Sequence, residues 1–470
     1  MVSVEVGKEI VVTCPPSDMV AWAKREMSLD NPEYYKKLQM GKWTGGTPQK
    51  IDLFKTVGND LILPFGCLMD VYRRIPDANY SLHIAPIKAF SYDSNIKLYD
   101  YQEEAVKRAL KRKNGVLVMP CGSGKTQSGL EVIARVGGRA LWLTHTADLL
   151  NQSKERAMSV LNCDKSAFGT ITGGKVNISN GITFATVQTM AKLDLSQYEW
   201  MWDIIIVDEC QHCAGTPTRV TQFYHVMSSL SARYKIGLTA TPHRADGLER
   251  SMFALLGGII HEVSKAEVAH TTCPVEVIVK KTGYVPDMNQ ALAGDGTINY
   301  SGLVQDLVEN EERFRFVLNE VLQAAKDGPT LVLANRVEYL QRLSRAFDEA
   351  LAYEDAAPAM CISGLGQSKR EKKLRKNALT ALNDGEIKCL FATYQLAKEG
   401  LDVPNLRYVV LATPEKDQTT VMQSAGRVGR KAEGKDHGTV IDFEDDFAMY
   451  RGWLKKRLGY YKKLDYKLLT

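Results

Sequence analysis

Runs of consecutive apolar residues alternate with segments of helical periodicity through most of the chain. Four such runs lie in the first half, at residues 116–119, 140–143, 204–207 and 236–238. Four more lie in the second half, at residues 330–333, 389–391, 408–411 and 438–441. Strands that are apolar throughout and separated by helices are typical of parallel sheets covered on both faces. The pattern therefore predicts two α/β domains in tandem.

The N-terminal pattern is different, because short apolar runs are interrupted by Pro and Gly turns. This punctuation predicts a small α+β accessory domain over residues 1–95. The two α/β domains are then expected at residues 96–275 and 303–449, with a Gly-, Pro- and polar-rich linker at residues 276–302. Residues 450–470 form a last segment with its own character.

This C-terminal segment is strongly basic. Seven basic residues and one acidic residue follow Tyr450, whereas the whole chain has a net charge of only +5. Apolar residues recur along the segment at three-to-four spacing: Leu454, Leu458, Tyr461, Leu464 and Leu468. The spacing predicts a basic amphipathic helix. Its apolar stripe is expected to dock on the second α/β domain, while its charges either face water or contact nucleic-acid phosphates.

Length and composition agree with a folded protein of several domains. The chain has 470 residues, of which 44% are hydrophobic and 24% are charged, close to the averages of globular proteins. No signal peptide and no apolar run of membrane-spanning length is apparent. The nine cysteines are an odd, scattered set, which favours free thiols in a reducing compartment. These features predict a cytoplasmic protein.

A phosphate-binding motif follows the first apolar run. It consists of Gly122, Ser123, Gly124, Lys125 and Thr126. Backbone N–H groups at the helix start would hold the phosphates of ATP, Lys125 would neutralise the β- and γ-phosphates, and the Thr126 hydroxyl would ligate Mg²⁺. The strict pattern begins with a glycine, where this chain has Met119. A Gly-rich turn with a surface lysine is the structural alternative.

Two adjacent carboxylates, Asp208 and Glu209, follow the third apolar run. Asp208 would hold Mg²⁺, and Glu209 would orient and deprotonate the attacking water. The separation from Lys125 leaves room for the other strands of one nucleotide-binding domain, which favours this interpretation over a solvated strand end. Cys210 and Cys213 come next, but no second pair of Cys or His ligands lies nearby, so a zinc site is not favoured.

The remaining motifs resemble, in order, those of superfamily 2 helicases. In the first α/β domain this resemblance implies that Gln102 reads adenine and that Gln211 bridges the nucleotide and the coupling motif. Thr239 and Thr241 belong to that motif, which links hydrolysis to domain movement in the family. The chain departs from the family at Tyr99, where related proteins commonly carry an arginine.

The same resemblance implies that polar residues of both α/β domains contact a nucleic-acid backbone, which needs no sequence preference. They are Thr144, Gln152, Gly173, Gly174, Thr186, Gln188, Arg244 and Thr393. In the second domain, Asp402 lies in a motif expected to contact the nucleotide, and Gln423, Arg427 and Arg430 match QxxGRxxR. In the family the two arginines reach the γ-phosphate across the interdomain cleft, where a guanidinium neutralises charge in the transition state.

Within the superfamily, the chain is most similar to XPB-like and phage branch-migration (DEAD/DEAH-type) helicases. Residues 243–247 resemble an acidic element that follows the coupling motif in XPB-like enzymes, with Ala245 in place of its glutamate. Residues 42–48 and 63–66 resemble parts of an accessory DNA-contact module that such proteins carry before the motor. A phage or bacterial protein is the corresponding expectation.

We therefore expect two RecA-like parallel-sheet domains after a small α+β domain, forming an ATP hydrolase that uses ATP and Mg²⁺ to move on DNA. Single-stranded, forked and branched DNA are the expected partners, and no membrane is. An RNA helicase is the second enzymatic hypothesis. The non-enzymatic alternative is a nucleic-acid-binding scaffold with a non-productive ATP site, which predicts loss of charged site residues; the sequence retains them.

Overall fold

A computed structural model of the chain describes residues 2–83, 89–120, 122–213, 215, 220–242, 247–291, 298–351, 358–363, 369–398, 401 and 403–469. Two of the predicted site residues, Arg244 and Asp402, lie outside these ranges. The chain divides into two compact units, of which the first ends at Val268 and the second begins at Ala269. Within the described ranges, no helix is both long and apolar enough to cross a membrane.

The first unit opens with the accessory α+β domain. Its strands are β1 (Ser3–Val6), β2 (Glu9–Thr13), β3 (Ser28–Asp30), β4 (Lys50–Asp52), β5 (Lys55–Val57), β6 (Asp60–Pro64) and β7 (Asn79–Leu82). Its helices are α1 (Ser17–Glu26), α2 (Pro32–Gln39) and α3 (Leu68–Arg74). A sheet of order β5-β6-β2-β1-β7 buries alternate residues of β1 and β2, as expected for strands with one face on a core.

The accessory domain packs directly on the first α/β domain. Gly66 touches the backbone there, since a Cβ at this position would lie 2.4 Å from Phe253 O. Beside it, the buried Lys235 amine lies 4.7 Å from the centre of the Phe65 ring and donates to Leu230 O at 2.7 Å. Burial lowers the pKa of Lys235 to about 7. This contact therefore holds an amine that loses much of its charge near neutral pH.

The first α/β domain follows in the same unit. Its strands are β8 (Asn114–Val118), β9 (Ala140–Thr144), β10 (Phe168–Thr172), β11 (Lys175–Asn177), β12 (Ile182–Thr186), β13 (Ile204–Asp208), β14 (Tyr234–Thr239) and β15 (Ile259–Glu262). Its helices are α4 (Asp100–Arg112), α5 (Lys125–Val136), α6 (Ala147–Val160), α7 (Val187–Met190), α8 (Gln222–Ser229), α9 (Glu249–Leu256) and α10 (Lys265–Val268). The sheet order is β11-β10-β12-β9-β13-β14-β8-β15, and every pairing except β10 with β11 is parallel.

The second unit holds the second α/β domain. Its strands are β16 (Val275–Lys281), β17 (Thr330–Ala334), β18 (Ala359–Cys361), β19 (Cys389–Thr393), β20 (Tyr408–Leu411), β21 (Gly438–Glu444) and β22 (Lys467–Leu469). Its helices are α11 (Met288–Ala291), α12 (Tyr300–Glu309), α13 (Glu311–Asp327), α14 (Val337–Leu351), α15 (Lys369–Asp384), α16 (Tyr394–Lys398), α17 (Gln418–Ala425) and α18 (Ala448–Lys463). All strands are parallel, in the order β18-β19-β17-β20-β21-β16-β22. The predicted fold class is confirmed.

The predicted linker at residues 276–302 is wrong at both ends. Its first residues belong to β16, which pairs with β21 over its full length, from Val275 opposite Gly438 to Lys281 opposite Glu444. Its last residues begin α12 at Tyr300. The β-branched residues of β16 are typical of a strand, but the Gly- and Pro-containing sequence that follows obscured them.

The predicted C-terminal helix also needs correction. The helix α18 ends at Lys463, and Leu468 lies in β22, which pairs with β16. Arg457, expected on the charged face, is buried and makes bidentate hydrogen bonds to Asp442 at 2.7 and 2.9 Å. Burial of the Asp442 carboxylate on the sheet gives the arginine its partner. Arg457 of the basic C-terminal segment therefore forms a buried ion pair within the second α/β domain.

Replacing Arg457 by alanine should destabilise the second α/β domain by about 3–5 kcal/mol, because it leaves a carboxylate buried without its charge partner. Urea unfolding of the full chain, followed by circular dichroism, measures the change. Lys455→Ala, which removes an exposed charge two residues away on the same helix, is the matched control and should change stability little. Equal stability of the two variants would contradict the structural role of the pair.

Candidate active site and nucleic-acid surface

The carboxyl ends of the parallel strands of the first α/β domain meet at one edge of the sheet, and most predicted site residues of that domain lie there. The neighbouring strands β13, β14 and β8 lead into the residues predicted to act on ATP. The neighbouring strands β10, β12 and β9 end at residues predicted to contact nucleic acid. The two groups adjoin where β9 pairs with β13. One sheet edge therefore carries two adjacent candidate sites.

The Gly-containing turn between β8 and α5 has the backbone shape of a phosphate-binding loop. Gly122 and Gly124 have φ values of 81° and 76°, in the left-handed region that favours glycine. Lys125 is the first residue of α5, so the loop leads directly into a helix N-terminus. Met119, which replaces the first glycine of the strict pattern, is buried in the core and has no positive φ. No glycine is needed there.

The start of α4 fixes this loop. The buried Gln102 side chain donates from Nε2 to Ser123 O at 2.7 Å and accepts from Tyr99 N at 2.9 Å. The Tyr101 hydroxyl donates to the same Ser123 oxygen at 3.1 Å. Ser123 in turn donates from Oγ to Pro120 O at 2.7 Å. The glutamine predicted to read adenine is therefore also a structural support of the loop, a role that the sequence motif does not reveal.

The charges of Lys125 and Asp208 interact. Asp208 ends β13 and is buried. Burial and the neighbouring Glu209 carboxylate raise its pKa to about 7, while the positive charge of Lys125 acts in the opposite direction. Lys125 and Asp208, which are far apart in sequence, are thus brought close together. Further positive charge near Asp208 would favour its ionised carboxylate.

A chain of hydrogen bonds leads from Glu209 to the coupling motif. Gln211 donates from Nε2 to Glu209 Oε2 at 2.7 Å, and its Oε1 accepts from Thr239 Oγ1 at 2.7 Å. The Thr239 hydroxyl in turn accepts from Thr241 N at 3.0 Å. The Gln211 amide is therefore held at both ends, between the Glu209 carboxylate and the Thr239 hydroxyl.

The backbone at Glu209 is strained. Its φ and ψ are 50° and 51°, a left-handed conformation that costs a non-glycine residue about 1–3 kcal/mol. The strand before it is buried throughout, and the first turn after it is fixed by the Gln211 contacts. The left-handed residue therefore ends the extended backbone directly after β13 and begins the turn that carries Gln211.

The predicted nucleic-acid residues of the first α/β domain differ in exposure. Thr144 and Thr186 are buried, whereas Gln152 and Gln188 are exposed and Gln188 donates to His145 O at 2.7 Å. The pair Gly173–Gly174 is the turn between β10 and β11, and both glycines have positive φ, as a two-residue hairpin requires. The two glycines are therefore suited to the hairpin turn itself, in addition to any contact with a ligand.

One contact between the two candidate sites is absent from the sequence prediction. The His145 and His212 rings lie 4.3 Å apart, between the loop after β9 and the turn after β13. Each histidine directly follows a predicted site residue, Thr144 or Gln211. That adjacency was the available signal. The ring pair joins the ATP-related half of the edge to the half predicted to bind nucleic acid.

The second unit holds its own set of predicted residues. Arg427 is buried and donates from Nη1 to Leu401 O, whereas Arg430 and Gln423 are half-buried. Thr393 ends β19, and its hydroxyl accepts from Leu396 N at 3.3 Å. Of the two arginines, Arg430 is therefore the more accessible within this unit.

The charges of the first α/β domain fit ATP with Mg²⁺. No group of three or more His, Cys, Asp or Glu residues able to hold a metal ion occurs within the described ranges. Mg²⁺, however, is commonly held by one or two carboxylates together with substrate phosphates. The buried Asp208, close to the helix start that carries Thr126, provides that type of ligand set.

Comparisons with known proteins agree with this geometry. Residues 95–244 match the family model "Type III restriction enzyme, res subunit", and residues 312–432 match "Helicase conserved C-terminal domain". A putative ATP-dependent RNA helicase of Acanthamoeba polyphaga mimivirus is 26% identical over 395 residues, covering 82% of this chain and 70% of the relative. The DNA 3'-5' translocase XPB2 of Sulfurisphaera tokodaii is 26% identical over 375 residues, covering 72% of this chain and 80% of the relative.

A solved structure supports the same fold. The ATP-dependent Type ISP restriction-modification enzyme LlaBIII bound to DNA aligns with 79% of this chain and 30% of that chain, at a TM-score of 0.56 and 18% identity. Fold and site together define a nucleic-acid-dependent ATPase built on two helicase domains. Both matched models support the resemblance to superfamily 2 helicases that the ordered motifs predicted.

Asp208→Asn should stabilise the ligand-free protein increasingly as the pH rises. The folded-state pKa of Asp208 is about 7, above its unfolded value near 4, so its contribution to stability is fully present below pH 4 and is lost as the pH rises through 7. The difference in melting temperature between the variant and the parent chain should thus widen from pH 5 to pH 7 and then level off. Asp164→Asn, at an exposed carboxylate, is the control; a constant difference for Asp208→Asn would contradict the assignment.

Proposed function

We propose that this protein is an ATP-driven DNA helicase or translocase whose hydrolytic site lies at the carboxyl edge of β13, β14 and β8. The observation that carries the proposal is the hydrogen-bonded path from Glu209 through Gln211 to Thr239. This path joins the Glu209 carboxylate, which could act on ATP, to the motif of Thr239, which could transmit a structural change after hydrolysis.

In this proposal the first α/β domain holds the triphosphate through backbone N–H groups at the start of α5 and through Lys125. Thr126 and Asp208 would hold Mg²⁺, whose chemistry is to neutralise the charge of the phosphate oxygens. Gln102 would contact the base of ATP. Its amide donates to Ser123 O and accepts from Tyr99 N, and it still has one N–H donor and acceptor capacity for the base.

Glu209 would orient the attacking water and accept its proton. The Gln211 amide keeps the Glu209 carboxylate in position and lies on the path to Thr239. Release of phosphate would thus change the partners of one amide and shift the threonine beyond it. In the second α/β domain, we still predict that Arg430 and Arg427 neutralise the γ-phosphate. Gln423 is still predicted to contact the nucleotide.

DNA is proposed as the track because the names of several relatives specify DNA translocation or unwinding. The adjacent half of the sheet edge offers hydroxyl, amide and backbone groups, which suit phosphates without base preference. Candidate contacts there and in the second domain are Thr144, Gln152, Gly173, Gly174, Thr186, Gln188 and Thr393. The name of the mimiviral relative favours RNA as the second candidate.

Glu209→Gln should keep ATP binding but lower the DNA-stimulated ATPase rate about 10²–10⁴-fold, since the amide cannot accept the proton of water. Lys125→Ala should lose ATP binding itself. Fluorescent-nucleotide binding and steady-state phosphate release separate the two effects. Lys111→Ala, at an exposed lysine of α4, is the control for charge removal and should match the parent chain.

The same assay tests the track. Single-stranded, duplex and forked DNA should stimulate hydrolysis, with RNA as the comparison. Stimulation by RNA alone would overturn the choice of DNA. Full activity of Glu209→Gln would overturn the assignment of the base.

We also propose that the accessory domain contacts DNA through the loop after α2. Trp43 is 82% exposed on this loop, whereas tryptophan is highly buried on average. The loop is held in place, because Lys37 Nζ donates to Thr47 Oγ1 at 2.6 Å and Asn31 Nδ2 donates to Pro48 O at 2.7 Å. Four lysines lie in this region: Lys36, Lys37, Lys42 and Lys50. Lys37 and Lys50 are partly neutralised by Glu33 and Asp30.

Trp43→Ala should weaken binding of forked DNA about tenfold through loss of a stacking surface, with unchanged ATP affinity and unchanged basal hydrolysis. Val57→Ala removes a 60% exposed apolar side chain on β5 of the same domain and serves as the matched control. Fluorescence anisotropy with a labelled fork measures both variants. Equal affinity of Trp43→Ala and the parent chain would contradict this contact.

A further inference from the structure

Three side chains from separate elements of the second unit converge on one exposed spot. Tyr300 begins α12, Trp453 lies on α18, and Lys416 follows β20. The Tyr300 and Trp453 rings are nearly parallel, with an interplanar angle of 6° and centroids 6.5 Å apart. Lys416 Nζ lies 5.5 Å from the centre of the first ring and 5.4 Å from the second. We call these three residues the aromatic platform.

The platform is supported from below. The Trp453 ring packs edge-on against Tyr450, at 5.5 Å between centroids. Tyr450 is buried and donates its hydroxyl to Leu303 O at 3.1 Å. The backbone of the lysine is held as well, since Tyr460 donates to Lys416 O at 3.3 Å. The rings are thus presented in a fixed position, which lowers the entropic cost of binding a ligand.

Internal packing does not use the whole platform. Tyr300 remains 55% exposed, Trp453 is half-buried and Lys416 is exposed. Two nearly parallel aromatic rings with the Lys416 amine over both of them combine flat apolar surface with a positive charge. A nucleotide has the complementary parts, a flat base and a negative phosphate. The two acidic side chains that flank Lys416 in sequence are hydrogen-bonded to the backbone: Glu415 accepts from Lys416 N and Asp417 N, and Asp417 caps α17.

The platform lies at the edge of the sheet where nucleic acid is expected. Lys416 follows the carboxyl end of β20, and Thr393 ends β19 at the same edge. These strands are separated only by β17, so their ends are about 10 Å apart. Arg336, just after β17, donates to Ser301 Oγ at 3.1 Å, next to Tyr300. Thr393 and Lys416 therefore both lie at or beyond the carboxyl ends of strands in the same part of this sheet.

We propose that the aromatic platform binds single-stranded DNA, by stacking a base on Tyr300 and Trp453 and placing its phosphate near Lys416. The proposal rests on the proposed DNA-dependent function and names a contact of the second α/β domain. Of the three platform residues, only Trp453 belongs to the basic C-terminal segment.

The test compares the full chain and two pairs of variants in binding to single-stranded oligothymidylate and to an abasic strand of equal length. Tyr300→Leu and Trp453→Leu remove a ring and keep an apolar side chain, whereas Tyr300→Phe and Trp453→Tyr keep a ring. The leucine variants should bind oligothymidylate about ten- to hundredfold more weakly and bind the abasic strand as the parent chain does. The ring-retaining variants should stay within about threefold of the parent chain. Lys416→Ala should weaken binding of both strands and reduce the salt dependence.

Several results would overturn the platform. Equal loss of affinity for both strands in the leucine variants would indicate a general structural effect, and unchanged affinity for oligothymidylate would exclude stacking. Loss of affinity in the ring-retaining variants would also contradict it. If the parent chain itself bound no DNA, the proposed function would fail first. Because Tyr300 is exposed, its leucine variant keeps the test usable if a Trp453 variant folds poorly.

Discussion

The parallel pairing of β13 with β9 and β14 is the constraint on which the candidate sites of the first α/β domain depend. Its register sets Val207 opposite both Leu143 and Gly237, so the strands end together and their polar residues emerge at one level. A shift of one residue would turn every side chain of β13 to the other face of the sheet. Asp208 would then lose its position relative to Lys125. The apolar strands therefore position the candidate site, because Asp208 is the last residue of β13 and Glu209 directly follows it.

Much of this arrangement could be predicted because buried parallel strands leave a simple signal. Each apolar run found in the sequence is a strand of one of the two sheets, since a strand covered on both faces has no polar alternation to confuse the pattern. The loop glycines were also predictable, because Gly122 and Gly124 require positive φ. The order of the motifs also indicated the resemblance to superfamily 2 helicases, which both matched family models support. For the candidate site, sequence identified the residues; the roles of those residues remain predictions.

The structural features that could not be predicted depend on partners distant in sequence. Arg457 looked like one more surface charge until the sheet placed Asp442 beside it. The pairing of β16 with β21, which lies more than a hundred residues later, likewise has no local signal in the sequence. The contact of His145 with His212 joins two turns that only the β9–β13 pairing brings together. Hydrophobic periodicity indicates which face of a helix or strand is buried. It does not indicate which side chain of another element packs against that face.

The close approach of Gln102 to Gly124 links the side chain expected to contact the base of a nucleotide with the loop expected to hold its phosphates. A Cβ at Gly124 would lie 2.3 Å from the Gln102 amide nitrogen, and that nitrogen holds the loop through Ser123 O. The side chain expected to read the base and the backbone expected to hold the phosphates are thus parts of one rigid assembly. Base preference and phosphate affinity then cannot evolve independently. A lineage that relaxed its choice of nucleotide by replacing this glutamine would have to rebuild the support of its phosphate loop at the same time.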